Sequence, residues 1–150
     1  MTPSSTALLT IDLQNDFLHP EGAYGRAGQG ADSIKALPNR IAPVKTALTK
    51  AGGSYISAQF TLVPGRGREP LISPHLKKLR PFLTKGDFEP GSFGHSLVDT
   101  LAPADFTVEK VAYSALYPTR LQYILPAMDV DSLSISGLSP KAALGRPPPA

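Results

Sequence analysis

The sequence of 150 residues contains no cysteine, which excludes disulfides, thiolate-bound zinc and any cysteine nucleophile within these residues. It has no apolar run near the roughly 18 residues that a membrane span needs. Its start, Met1-Thr2-Pro3-Ser4-Ser5-Thr6, has neither the basic patch nor the apolar stretch of a signal peptide. A soluble, cytoplasmic protein is therefore expected. Charge of one sign is also scarce: 15 basic residues stand against 12 acidic ones, a formal charge of +3, too mild to argue for nucleic acid as a partner. Charged residues make up only 18% and hydrophobic ones 41%, a balance that fits neither a disordered polymer nor a coiled coil. No internal repeat is visible, and the length suits one domain.

Proline and glycine are plentiful instead. With 16 and 13 residues they form about a fifth of the chain, against roughly 12% on average, so long uninterrupted elements are not expected. Residues 6–12, T-A-L-L-T-I-D, are a short apolar run closing on a carboxylate, the pattern of a buried parallel strand that delivers a polar residue to its C-terminal edge. Ile34, Leu37, Ile41, Val44 and Leu48 recur at spacings of three and four, and Gly52-Gly53 follows, which predicts an amphipathic helix ending near Ala51. Pro43 suits that helix if Asn39 is its N-cap, because the first four helical N–H groups have no intrahelical partner. Residues 54–60, S-Y-I-S-A-Q-F, read as a second strand and complete a βαβ unit.

Residues 61–91 lose this pattern in a proline-interrupted stretch too long for a plain connection, which suggests a binding loop or lid. A short helix is expected over 92–101 and a third strand over 106–111. A helix N-capped by Thr119, with Leu121, Ile124, Leu125 and Met128 on one face, and a fourth strand over 132–137 follow. The alternation is that of a three-layer, Rossmann-like α/β fold with a parallel sheet. After Leu138 the periodicity stops and four prolines fall within the last eleven residues. Residues 1–138 thus read as an incomplete domain and 139–150 as an unrelated Pro/Ala-rich tail. A sheet ending on its fourth strand with no covering helix would leave an apolar face or edge exposed.

Open α/β sheets bind ligands at the carboxyl ends of their strands, which directs attention to Asp12, residues 59–61, Lys110 and the positions after Gly137. Asp12 ends the first strand inside D-L-Q-N-D-F, and Lys110 ends the third inside V-E-K-V-A-Y-S-A-L-Y-P-T. Brought together, the ammonium would keep the carboxylate ionised and orient its proton transfers. Taken singly, each has a plainer reading, the aspartate as a turn cap and the lysine as a solvated charge. Phe17, Gln59 and Tyr113 are the substrate-binding candidates, with core packing the competing reading for Phe17. Gln14 and Asp16 are expected to fix the loop after the first strand. Arg66 and Arg68 either receive a carboxylate or form a solvated loop tip. Ser114 lacks a G-x-S-x-G elbow and an adjacent histidine and is not read as a nucleophile. His19, His75 and His95 are widely separated and read as ordinary loop or surface residues.

The segments D-L-Q-N-D-F, F-E-P-G-S-F-G and E-K-x-x-Y-S-A-L-x-x-T, in this order, resemble the isochorismatase-like hydrolase family, part of the cysteine hydrolase superfamily, from about Ala7 to Leu138. The resemblance implies a six-stranded parallel sheet between helices, small-molecule substrates and assembly into oligomers, with no cofactor. In the cysteine-hydrolase branch it implies an Asp-Lys-Cys triad that cleaves amides, N-carbamoyl compounds or ureido acids. Asp12 would be the general base and Lys110 its partner, while a thiolate attacks the carbonyl carbon and backbone N–H groups hold the oxyanion. The family's cysteine lies six positions after the glycine closing the fourth strand, and here that position is Ala143. Nicotinamidases of the family carry an Asp-x-His pair after the second strand, where this sequence has Gln59, Phe60 and Thr61, so no metal site is expected.

The missing thiol leaves several readings open. The chain is an amide hydrolase domain cut short before its nucleophile and inactive as encoded. Alternatively it is a cysteine-free, isochorismatase-type enzyme in which Asp12 protonates a vinyl ether and water completes the hydrolysis. Or it is a non-catalytic fragment that associates with a full-length relative, or a chain that misfolds.

Overall fold

The structure, a computed structural model, describes residues 2–112, 114–116 and 119–138. Strands β1 (Thr6–Ile11), β2 (Ser54–Phe60), β3 (Phe106–Lys110) and β4 (Ser132–Gly137) form one parallel sheet in the order β3-β2-β1-β4. The helices are α1 (Asn15–Leu18), α2 (Ala23–Arg26), α3 (Asp32–Lys35), α4 (Leu37–Lys50), α5 (Pro74–Leu79) and α6 (Leu121–Ala127). All of β1 is buried, as befits an apolar strand flanked on both sides and covered on both faces. Its register sets Ile11 beside Ala58 of β2 and Gly137 of β4. A side chain at Gly137 would collide with the Ile11 carbonyl, so the close approach of β4 to β1 at this edge depends on glycine. Among the described residues β4 pairs with β1 alone, and none of its six residues is fully buried.

Strand alternation sorts the core into two layers. Ala7, Leu9 and Ile11 join Ile56, Ala58 and Val108 on one face and meet Leu121 and Ile124 of α6. Leu8 and Tyr55 lie on the other face with Leu13, Ile41 of α4, Val98 and Leu101. This is the helix, sheet, helix sandwich that the alternating pattern predicts. A third cluster stands apart from the sheet, where Ala23, Leu62, Leu83 and Phe88 pack with Phe17, Tyr24 and Phe60. Residues 61–91 supply much of that cluster.

Several sequence expectations need correction. Asn39 does not cap α4, which starts at Leu37 with Ala36 before it and keeps Pro43 in its interior. Ile34 belongs to the separate turn α3, and Val44 is 52% exposed. The face of α4 turned inward is the one with Ile41 and Lys45, whose ammonium donates to the carbonyls of Leu101 and Pro103 at 2.6 and 2.8 Å. Helix α6 starts at Leu121, and Thr119 serves it from two residues back by accepting the Leu121 N–H at 3.2 Å. Met128 lies past its end and is exposed.

No helix forms over 92–101, which runs through turns instead. The carbonyls that a helical ladder would need are taken by other segments. Gly94 and Ser96 accept the N–H groups of Asp16 and Asn15, and His95 accepts the Gln14 amide. The tail at 139–150 lies outside the described residues.

Candidate active site

Asp12 follows β1 with a φ of 62°, a left-handed turn that aspartate tolerates better than most residues, and its N–H donates to the Ala58 carbonyl at 2.9 Å. Lys110 closes β3 two strands away, and its carbonyl accepts the Thr61 N–H at 2.9 Å. Across the edge of β2, the Lys110 Nζ comes 3.2 Å from the Asp12 Oδ1. The same ammonium donates to the Ala112 carbonyl at 3.0 Å and lies 5.4 Å from the centre of the Phe60 ring. Both residues are buried, with 9% of Asp12 and 3% of Lys110 exposed. Burial pushes the Asp12 carboxyl above the usual aspartate value, and Lys110 draws it only part of the way back. A carboxyl raised in this way is a stronger proton acceptor than an ordinary aspartate.

The remaining residues of D-L-Q-N-D-F hold this loop in place. Gln14 donates to the carbonyls of Phe60 and His95 at 2.9 and 3.0 Å and accepts the Phe60 N–H at 2.7 Å. Asn15 donates to the Phe93 carbonyl at 2.9 Å. Asp16 accepts the N–H groups of Ala23 and Phe88 at 2.9 and 2.6 Å. Gly94 packs so closely on the Asp16 carboxylate that any side chain there would overlap it. The F-E-P-G-S-F-G segment is thus the mould that fixes the loop carrying Asp12, and Gln14 and Asp16 act as expected of them.

Asp12 and Lys110 open on a cavity of about 530 Å³, within the range of small-ligand sites. Phe17, Tyr24, Phe60, Leu76 and Leu83 give it an apolar wall, and Lys35, His75 and Arg80 line it as well. Phe17 reaches this wall while also packing on Phe88, with ring centres 4.6 Å apart. Gln59 does not line the cavity: it is 5% exposed and donates its amide to the His95 carbonyl at 3.0 Å. Tyr113 and Ala143 lie outside the described residues.

Arg66 and Arg68 do not line the cavity either, and Arg68 is engaged with Glu89 through two hydrogen bonds of 2.8 and 2.7 Å. His95 is no surface residue. It is 7% exposed, its Nε2 is 2.8 Å from the Thr61 hydroxyl, and burial holds its pKa below the ordinary histidine value. Among the described residues, no group of three or more His, Cys, Asp or Glu is placed to hold a metal ion. Tyr24, Lys35 and Arg80 are cavity residues without a motif to mark them, and only the fold brings them to Asp12.

The chain belongs to the isochorismatase family: the Isochorismatase domain model matches residues 6–142, and the family's enzymes are hydrolases acting on small molecules. Among curated relatives, the ureidoacrylate amidohydrolase RutB of Pantoea ananatis is 29% identical over 157 aligned residues, covering 92% of this chain and 60% of its own length. The corresponding protein of Methylobacterium radiotolerans is also 29% identical, over 93% of this chain and 58% of its own length. The chain therefore spans about 60% of the length of these relatives. In fold it is similar to N-carbamoylsarcosine amidase from Thermoplasma acidophilum, with a TM-score of 0.67 at 21% identity over 91% of this chain and 68% of that one. It is similar too to the pyrazinamidase/nicotinamidase of Streptococcus mutans, with a TM-score of 0.66 at 23% identity over 89% of this chain and 72% of that one. No helix among the described residues is long and apolar enough to cross a membrane.

Proposed function

We propose that these residues carry the acid/base half of a site that hydrolyses a small amide, carbamoyl or ureido compound. The observation that carries this reading is the buried Asp12–Lys110 pair, 3.2 Å apart at the ends of β1 and β3 and open to the cavity. In that reaction Asp12 takes the proton of the attacking thiol and later returns it to the departing amine, while Lys110 steadies the carboxylate between the two transfers. The amidohydrolase relatives support the substrate class. The 150 residues hold no thiol, so in this reading they are expected not to turn over amides by themselves.

A second reading is favoured by the direction of the Asp12 shift. A carboxyl held above its usual value is suited to act as an acid, and protonation of a vinyl ether by Asp12 followed by attack of water needs no thiol. Assay of the 150-residue protein and its Asp12→Asn variant against a ureido acid, a primary amide and isochorismate tests both readings. The first predicts no turnover of any of the three by this chain. It further predicts amide hydrolysis dependent on Asp12 and Lys110 in the protein from its native source, with an intact mass above 15.9 kDa. Isochorismate cleavage that disappears in Asp12→Asn would decide for the second. Amide turnover that persists in Asp12→Asn would overturn the role given to Asp12 in the first reading, and isochorismate cleavage that persists would overturn its role in the second.

A further inference from the structure

The cavity carries more positive charge than the Asp12–Lys110 pair explains. Lys35, Arg80 and Lys110 line it, and Asp12 is the one carboxylate among its described lining residues. Lys110 faces Asp12, and Lys35 lies 3.6 Å from the exposed Asp32. Arg80 has no carboxylate within ion-pair distance among the described residues.

Its guanidinium is nonetheless held in place. The Nε donates to the Tyr24 hydroxyl at 3.0 Å, and Nη1 donates to the Leu79 carbonyl at 3.0 Å. These bonds fix the plane of the group and leave Nη2 without a hydrogen bond among the described residues. A half-buried, oriented cation with donors to spare is poised for a planar anion that accepts two hydrogen bonds side by side.

A continuous aromatic wall joins this cation to the reacting pair. The Lys110 Nζ sits 5.4 Å from the Phe60 ring centre, Phe60 is 6.3 Å from Phe17, Phe17 is 4.8 Å from Tyr24, and the Arg80 guanidinium carbon is 5.9 Å from Tyr24. A ligand lying along that wall meets Asp12 and Lys110 at one end, an apolar surface in the middle and Arg80 at the other end.

We propose that Arg80 receives the carboxylate of an acid substrate at the far end of the aromatic wall from Asp12, making Arg80 a specificity-determining residue. The position of the reacting group rests on the hydrolase reading above, whereas the anion site rests on the charge and geometry around Arg80. The Tyr24 hydroxyl is then a positioning group that acts through Arg80.

The test measures binding, which needs no turnover. N-carbamoyl-β-alanine and its neutral carboxamide, 3-ureidopropanamide, are titrated into the 150-residue protein by calorimetry or NMR. The acid is expected to bind roughly tenfold more tightly than the carboxamide, the scale of one charge-assisted, two-point contact. Arg80→Gln should abolish that preference, Arg80→Lys should retain part of it, and Tyr24→Phe should weaken it with a smaller effect on carboxamide binding. A purely structural role for Arg80 would lower the melting temperature and leave the acid-to-carboxamide ratio unchanged. Equal affinities in the wild type, a preference that survives Arg80→Gln, or no binding of the acid at millimolar concentration would overturn the proposal. Selective, Arg80-dependent acid binding without Asp12-dependent hydrolysis in the native-source protein would sink the amide-hydrolase reading and leave the Arg80 site standing. Hydrolysis without any preference for the acid would do the reverse.

Discussion

Two polar groupings sit side by side at the C-terminal edge of this sheet, and they differ in what they leave unused. Behind β2, Gln14, Gln59, Thr61 and His95 form a buried network in which side-chain amides meet backbone carbonyls and the imidazole meets a hydroxyl. In front, Asp12 and Lys110 form a buried ion pair that opens on a cavity. Residues of both groupings come from strand ends or the turns beside them, where ligands of parallel sheets bind. Position alone therefore does not separate scaffold from chemistry. The separating feature is whether the polar group is consumed by its neighbours or faces space that a ligand can enter.

The largest expected effect breaks the ion pair. Asp12→Leu takes the opposing carboxylate away from Lys110, a residue only 3% exposed, and should cost about 3 kcal/mol in chemical denaturation at neutral pH. The double variant Asp12→Leu/Lys110→Met should recover more than half of that loss, because an apolar pair of similar volume has no charge to desolvate. A double variant as unstable as the single one would mean that the pair holds the fold by more than mutual neutralisation.

Next comes the network. Gln14→Leu removes hydrogen bonds from the N–H and the carbonyl of Phe60 and from the His95 carbonyl and should cost about 2–3 kcal/mol, whereas Gln59→Leu removes one bond to a carbonyl that Gln14 still satisfies and should cost about 1 kcal/mol. Equal losses from the two glutamines, measured by denaturant unfolding, would contradict this division of labour. Gln59→Leu should also leave ligand affinity unchanged, since its amide faces His95 rather than the cavity.

A smaller effect is expected from pH. His95 is held below the usual histidine value of 6.5 by burial, so the folded state resists its protonation. Its contribution to stability is fully present above pH 6.5 and is lost as pH falls toward the lowered folded value. Unfolding free energy should therefore decline as pH drops below 6.5, and His95→Gln should flatten that slope. Least of all is expected from Arg68→Ala. This exposed arginine pairs with Glu89 at the surface, and its loss should leave melting temperature and ligand binding where they were.

What the sequence reveals of this molecule follows how local each determinant is. Strands β2 and β4 are legible to the residue, because short apolar runs bounded by turn residues have few other ways to be buried. The first and third strands end one residue earlier than read. Asp12 turns off the ladder through a left-handed backbone conformation that apolar patterning does not encode. The meeting of Asp12 with Lys110 is legible too, since a parallel sheet brings strand ends together.

The absence of a helix at 92–101 is not legible in the same way. It depends on Gln14, Asn15 and Asp16, some eighty residues earlier, claiming the carbonyls that such a helix would use. The same distance effect hides Arg80: the sequence leaves Arg66 and Arg68 as either carboxylate receivers or a solvated loop tip, whereas Arg80, bonded to the Tyr24 hydroxyl of another helix, is the arginine among the described residues lining the cavity.

The most direct test of the Asp12–Lys110 pair as the working acid/base couple is the titration of the Asp12 carboxyl carbon by NMR, in the 150-residue protein and in Lys110→Met. The wild-type midpoint is expected above the ordinary 3.8. Lys110→Met should shift it further upward, because removing the ammonium takes away the main influence opposing burial. A wild-type midpoint at or below 3.8, or one indifferent to Lys110, would mean that Asp12 and Lys110 are not a working acid/base couple.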